Sequence, residues 1–158
     1  MTEQIATPTQ TLYEQDYQLW LETTLEQLRT GQYSVVDWEN LLEEIEGMTR
    51  SDKRKLMSLL TRLFEHFLKL AYWESERAYN QPGWEGEIQN FRIQIQRLLK
   101  DSPSLKPYLV EIFAECYRDA VKITQKKTRL SFQTFPSNPI ATLEQVLDDN
   151  WLPIDTDS

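Results

Sequence analysis

The sequence predicts an all-α fold: a single-domain helical bundle of five main helices plus a short C-terminal one, with the long third helix central. Three observations lead there. Apolar residues recur at the three-and-four spacing of a helix face in one segment after another. No alternating strand pattern runs longer than a few residues, and only four glycines occur in 158 residues, which suggests few tight hairpins. Side chains able to cap a helix stand before most of the apolar runs.

Taken in order, residues 1–10 read as a flexible lead-in, 11–153 as the helical domain and 154–158 as a disordered tail. Thr11 with Glu14 forms a capping box ahead of a helix from about Leu12 to Arg29, whose stripe is Tyr13, Tyr17, Trp20, Leu21, Leu25 and Leu28. Gly31 supplies its left-handed stop. Asp37 caps a second helix with a stripe of Trp38, Leu41, Leu42, Ile45 and Met48, and Gly47 is read as its C-terminal stop. Thr49 with Asp52 then starts the longest helix, about Arg50 to Ala78, carrying Leu56, Leu59, Leu60, Leu63, Phe64, Phe67, Leu68 and Ala71. Asn80-Gln81-Pro82-Gly83 is expected to break the chain before a fourth helix from about Trp84 to Lys100. Asp101-Ser102-Pro103-Ser104 opens a fifth, bearing Leu105, Leu109, Ile112, Phe113, Cys116, Ala120 and Ile123 and reaching about Lys127. Arg129 to Pro139, with two Phe and two Pro, reads as an ordered loop across the bundle surface; Thr142 with Gln145 caps a last helix of Leu143, Val146 and Leu147.

Composition excludes several function classes. A net charge of −8 with a pI near 4.7 opposes binding to phosphate backbones or anionic bilayers, so neither nucleic acid nor membrane is expected as a partner. No segment approaches the ~20 apolar residues of a membrane span, and a cytoplasmic location is expected. The single cysteine, Cys116, rules out an internal disulfide framework, and no Cys/His spacing fits a zinc cluster. No phosphate loop or nucleophile elbow occurs, and no cofactor is expected.

Several stretches together resemble the bacterial, largely cyanobacterial, family catalogued as domain of unknown function number twenty-nine. They are Tyr13 and Asp16; Asp37-x-Glu39-Asn40-Leu41-x-Glu43-Glu44-Ile45-Glu46; His66-x-Leu68-Lys69; and Asp101-Ser102-Pro103-Ser104-Leu105-x-Pro107-Tyr108-Leu109. Thr134-Phe135-Pro136 and Leu143-Glu144-Gln145-Val146-Leu147-Asp148 complete the set, which spans about residues 12 to 153. The resemblance implies an all-helical single domain with no established activity. Thr128-Arg129-Leu130 departs from the family's Gly-containing turn after the fifth helix.

The main candidate for function is the second helix, where Asp37 to Met48 holds five carboxylates and no cation. Glu39, Glu43 and Glu46 line one edge of its apolar stripe, and Glu44 lies on the other. A chain reversal at Met48 would pair residues whose numbers sum to roughly 96–100, setting Glu43 against Lys53 to Met57 and Glu46 against Arg50 to Arg54. On that geometry the acids are structural ion pairs, although three Glu in the last turns of a helix oppose its dipole. The functional readings are an acidic docking face for a protein partner or, as the alternative, a small metal- or carboxylate/histidine-dependent enzyme using Glu39, Glu43 and His66, with Asp16 from the first helix. His66, beside Leu59, Leu63 and Leu70, reads more simply as a hydrogen-bonded structural histidine, and Cys116 as an apolar filler. Trp73 and Trp84, near Tyr72 and Tyr79, are further interaction candidates, although such a cluster more often closes the end of a core. Lys122, Lys126, Lys127 and Arg129 complement the dipole at the end of the fifth helix. The expected function is therefore a noncatalytic protein–protein interaction module.

Overall fold

The computed structural model describes residues 10–154, so the expected lead-in and tail fall, but for their innermost residues, outside it. The described residues form helices and loops without a strand. In order these are α1 (Leu12–Gln15), α2 (Tyr17–Arg29), a 3-10 turn (Tyr33–Val35), α3 (Trp38–Tyr72), α4 (Glu74–Asp101), α5 (Leu105–Thr128), a second 3-10 turn (Phe132–Thr134) and α6 (Leu143–Leu147). The chain divides into two compact units, Met1–Thr49 and Arg50–Ser158, and the division falls inside α3.

In the N-terminal unit the expected first helix is interrupted at Asp16. That residue takes an extended conformation (φ −150°, ψ 92°), closing α1 with its backbone and capping α2 with its side chain, which accepts from the Leu19 amide at 3.0 Å. A short acidic side chain competing for its own backbone amides is what breaks the run. Gly31 (φ 75°) ends α2, and the Gln32 amide reaches back to the Gln27 carbonyl at 2.8 Å, as the glycine signal predicts. Asp37 caps α3, its carboxylate accepting from the Asn40 amide.

The largest correction concerns α3. The expected stop at Gly47 and restart at Thr49 do not occur: one helix of 35 residues runs from Trp38 to Tyr72. The Thr49 hydroxyl donates to the Glu46 carbonyl at 2.7 Å inside the helix and caps no new one. A helical glycine costs about 1 kcal/mol relative to alanine, too little to end a helix whose flanks carry strong helix formers and Glu46 followed four residues later by Arg50. The antiparallel pairing of Glu43 with Lys53 to Met57 therefore falls away with the turn that required it.

A second correction follows downstream. The break expected at Asn80 to Gly83 lies instead at Trp73 (φ −88°, ψ 65°), and Pro82 sits inside α4. Ala78 and Pro82 are both exposed, so the carbonyl that loses its donor can reach water. At the real break the Arg77 guanidinium closes the end of α3, donating to the Leu70 carbonyl at 2.8 Å and the Ala71 carbonyl at 2.9 Å. Glu74 and Glu76 occupy the first turn of α4, where carboxylates meet the positive end of the helix dipole.

The C-terminal unit carries the core. Leu56, Leu60, Leu63, Phe64, Phe67 and Leu68 of α3 are fully buried against Ile88, Phe91 and Ile95 of α4 and Leu109, Ile112 and Cys116 of α5. Phe64 meets Phe113 and Tyr117 edge-on, with centroids 5.0 and 5.3 Å apart. The α5 bounds follow the Asp101-to-Ser104 signal, and Arg129 ends the helix in a left-handed conformation (φ 58°) where the sequence lacks the glycine such a turn prefers. The Thr142–Gln145 capping box opens α6 as expected. Arg92, 1% exposed, fastens this last segment to α4 by donating to the carbonyls of Val146 (2.8 Å), Gln145 (3.1 Å) and Trp151 (2.7 Å) while its guanidinium lies over the Phe67 ring.

Candidate functional site: the open face of the third helix

Within the N-terminal unit, α3 turns about 100° per residue, so Trp38, Leu42, Ile45 and Met48 share one face. All four are open to solvent, at 47%, 57%, 48% and 60% exposure. Tyr33 and Val35 of the neighbouring 3-10 turn extend the patch at 58% and 59%, and the Trp38 indole N–H fixes that turn by donating to the Tyr33 carbonyl at 2.9 Å. Only Trp20, Thr24 and Val36 of this unit are buried among the described residues. A helix of this amphipathic pattern ordinarily buries its stripe; here the stripe is uncovered.

The two edges of the stripe are treated differently. On one edge Glu39, Glu43 and Glu46 are exposed. On the other, Glu44 accepts hydrogen bonds from two phenols, Tyr13 on one carboxylate oxygen and Tyr17 on the other, the latter at 2.7 Å. The two hydrogen bonds, Tyr13 first, hold the Glu44 carboxyl below its ordinary range, while the Glu44 bond pushes the Tyr13 phenol up to about 12. Tyr13 meets Trp20 edge-on at 4.8 Å, and the Trp20 indole N–H is buried without a hydrogen-bond partner among the described residues. Asp16 is spent on capping.

The continuity of α3 also settles the dipole question. Glu43, Glu44 and Glu46 do not crowd a C-terminus; they follow the helix start at Trp38, and Glu39 lies in its favourable first turn.

The remaining candidates lie in the C-terminal unit. His66 is half-buried, its Nδ1 2.8 Å from the Arg62 carbonyl and its ring edge-on to Phe91 at 5.2 Å. Burial lowers its pKa, which favours the neutral ring. Its neighbour Glu65, which sequence reasoning passed over, is 4% exposed and ion-paired to Lys69 at 3.2 Å and to Lys127. Burial raises the Glu65 carboxyl, but the Lys127 and Lys69 ammoniums outweigh it and the net direction is down. Trp84 is buried and stacks on the half-buried Trp73, with centroids 5.8 Å apart, at the α3–α4 break. Cys116 is fully buried, with its thiol pushed up by desolvation and its Sγ 3.6 Å from the Met57 carbonyl. Among the described residues no group of three or more His, Cys, Asp or Glu side chains is placed to hold a metal ion. No described helix is long and apolar enough to cross a membrane.

An all-helical protein with an uncovered, acid-edged amphipathic face is thus the class that fold and surface define. The chain belongs to the family described as domain of unknown function DUF29, which matches residues 12–152. No curated protein and no solved structure matches the chain.

Proposed function

We propose that this protein is a noncatalytic interaction module that receives a basic amphipathic helix on the N-terminal part of α3. The observation that supports this reading is the row of four large apolar side chains, Trp38, Leu42, Ile45 and Met48, each about half exposed on one helix face. Anchors at this spacing serve helix-to-helix docking, and the flanking Glu39, Glu43 and Glu46 select a partner whose apolar stripe is bordered by Lys or Arg. Glu44, held by Tyr13 and Tyr17, fixes the opposite edge and positions the stripe. A cytoplasmic setting suits the single buried thiol of Cys116.

Titration calorimetry with a synthetic helix bearing a leucine stripe flanked by lysines tests the reading. The expected result is binding that weakens with salt and drops at least about tenfold in the Leu42→Asp/Ile45→Asp variant. Equal binding of a glutamate-flanked peptide of the same stripe, or no binding of either, overturns it.

A further inference from the structure

A surface of the opposite chemistry lies on the C-terminal unit. Between α5 and the loop that follows it runs a groove of about 310 Å³. Its floor is apolar and buried, Tyr117 at 1% and Phe135 at 6% exposure, and its rim carries Val121 and the 55%-exposed Phe132. Arg118 and Lys122, both exposed, border it on the helix side. The loop wall is anchored: the Tyr117 hydroxyl donates to the Pro136 carbonyl at 2.7 Å, and Ser131 caps the 3-10 turn that carries Phe132.

The two surfaces match in spacing as well as in sign. Arg118 and Lys122 stand four residues apart on α5, as Glu39 and Glu43 do on α3, so each pair spans about 6 Å along its helix. Trp38 and Leu42, the apolar anchors beside those acids, are likewise four apart and correspond in size to a groove that takes two or three side chains. Laid antiparallel, Glu39 meets Lys122 and Glu43 meets Arg118 while Trp38 and Leu42 enter between Val121 and Phe132.

We propose that the chain binds a second copy of itself, the acid-edged face of one copy's N-terminal unit seating in the basic aromatic groove of the other copy's C-terminal unit. This rests on the docking role of the α3 face and names its partner. Each copy offers both surfaces, so the contact is heterologous at each joint and is used twice in a closed dimer or repeatedly in a larger assembly.

Sedimentation of the full chain at low salt, over a concentration series, is the test, with two charge-reversed variants: Glu39→Lys/Glu43→Lys and Arg118→Glu/Lys122→Glu. Wild type is expected to associate reversibly in the micromolar range and to dissociate in high salt. Each variant alone should lose association at least about tenfold, and an equimolar mixture of the two should recover it, because reversed face then meets reversed groove and native meets native. Circular dichroism confirms that both variants stay helical. A wild type monomeric at millimolar concentration, variants that associate undiminished, or a mixture that stays dissociated overturns the proposal. In the first case a lysine-flanked peptide that still binds the α3 face leaves the interaction module standing and removes only the self-partner.

Discussion

The two parts of α3 obey the same periodicity and meet opposite fates. From Leu56 to Leu70 the stripe disappears under α4, α5 and the C-terminal segment, with five of its side chains at 0% exposure among the Leu residues alone. From Trp38 to Met48 an equally regular stripe stays half open. The difference lies in what each unit has available to cover it. The C-terminal unit supplies three further helices and an anchored loop; the N-terminal unit supplies α1 with four residues, α2 and one 3-10 turn, and these reach the Glu44 edge without closing over the leucines. Apolar periodicity therefore reports where a helix wants a partner, and only the remaining chain decides whether that partner is internal.

The comparison can be strained from the buried side first. Arg92→Met should be the most disruptive, at about 3 kcal/mol in chemical denaturation, since it strands the carbonyls of Gln145, Val146 and Trp151 and frees the last segment from α4. A loss under about 1 kcal/mol would show that this segment is not part of the cooperative unit.

Next in size is Glu65→Gln, expected to cost about 2 kcal/mol near neutral pH by leaving Lys69 and Lys127 together without their acid. The sign with pH follows from the direction of the shift. A carboxyl lowered in the folded state contributes stability that is fully present above its unfolded pKa of about 4.3 and is lost as pH falls through the folded value. His66 is also lowered on folding, so its contribution is fully present above about 6.5 and is lost as pH falls below that, in a window above that of Glu65. Denaturation at stepped pH should show wild type and Glu65→Gln converging only in the carboxylate range; convergence already near pH 6 would contradict the assignment to Glu65.

The smallest effect addresses the junction. Gly47 has helical backbone and open space where a Cβ would stand, so Gly47→Ala should stabilise by about 0.5–1 kcal/mol. Destabilisation by a similar amount would restore the turn that the punctuation predicted.

Much of this architecture was legible because its signals are local. The left-handed stop at Gly31, the Asp37 cap, the α5 start and the Thr142–Gln145 box each depend on a few neighbouring residues, and each stands where those residues put it. Gly47 and Pro82 misled because a single helix breaker is outweighed by the helix around it when its backbone groups face water or its φ stays helical. The true break at Trp73 has no glycine or proline; it depends on Arg77 and on the Trp84 ring, which are distant decisions made by packing.

The site divides the same way. The acid line of Glu39, Glu43 and Glu46 was readable from spacing, as was the apolar stripe. That the stripe is uncovered was not, since exposure is a property of the whole chain. The groove needed the path of the 129–139 loop, and Arg118 carries no local mark that sets it apart from any exposed helix cation. Arg92 was equally silent: a lone cation in the middle of a helix gives no sign of the three carbonyls it will meet.

The central claim is that the two stripes of one helix differ in what they do, one holding the fold together and the other held open. Urea denaturation of a matched pair, Leu63→Ala and Leu42→Ala, measures it directly. Leu63, fully buried, should cost about 3 kcal/mol, and Leu42, 57% exposed, at most about 0.5 kcal/mol. A Leu42→Ala loss of 2 kcal/mol or more, estimated as for a buried leucine, would place that face in the core and contradict the account.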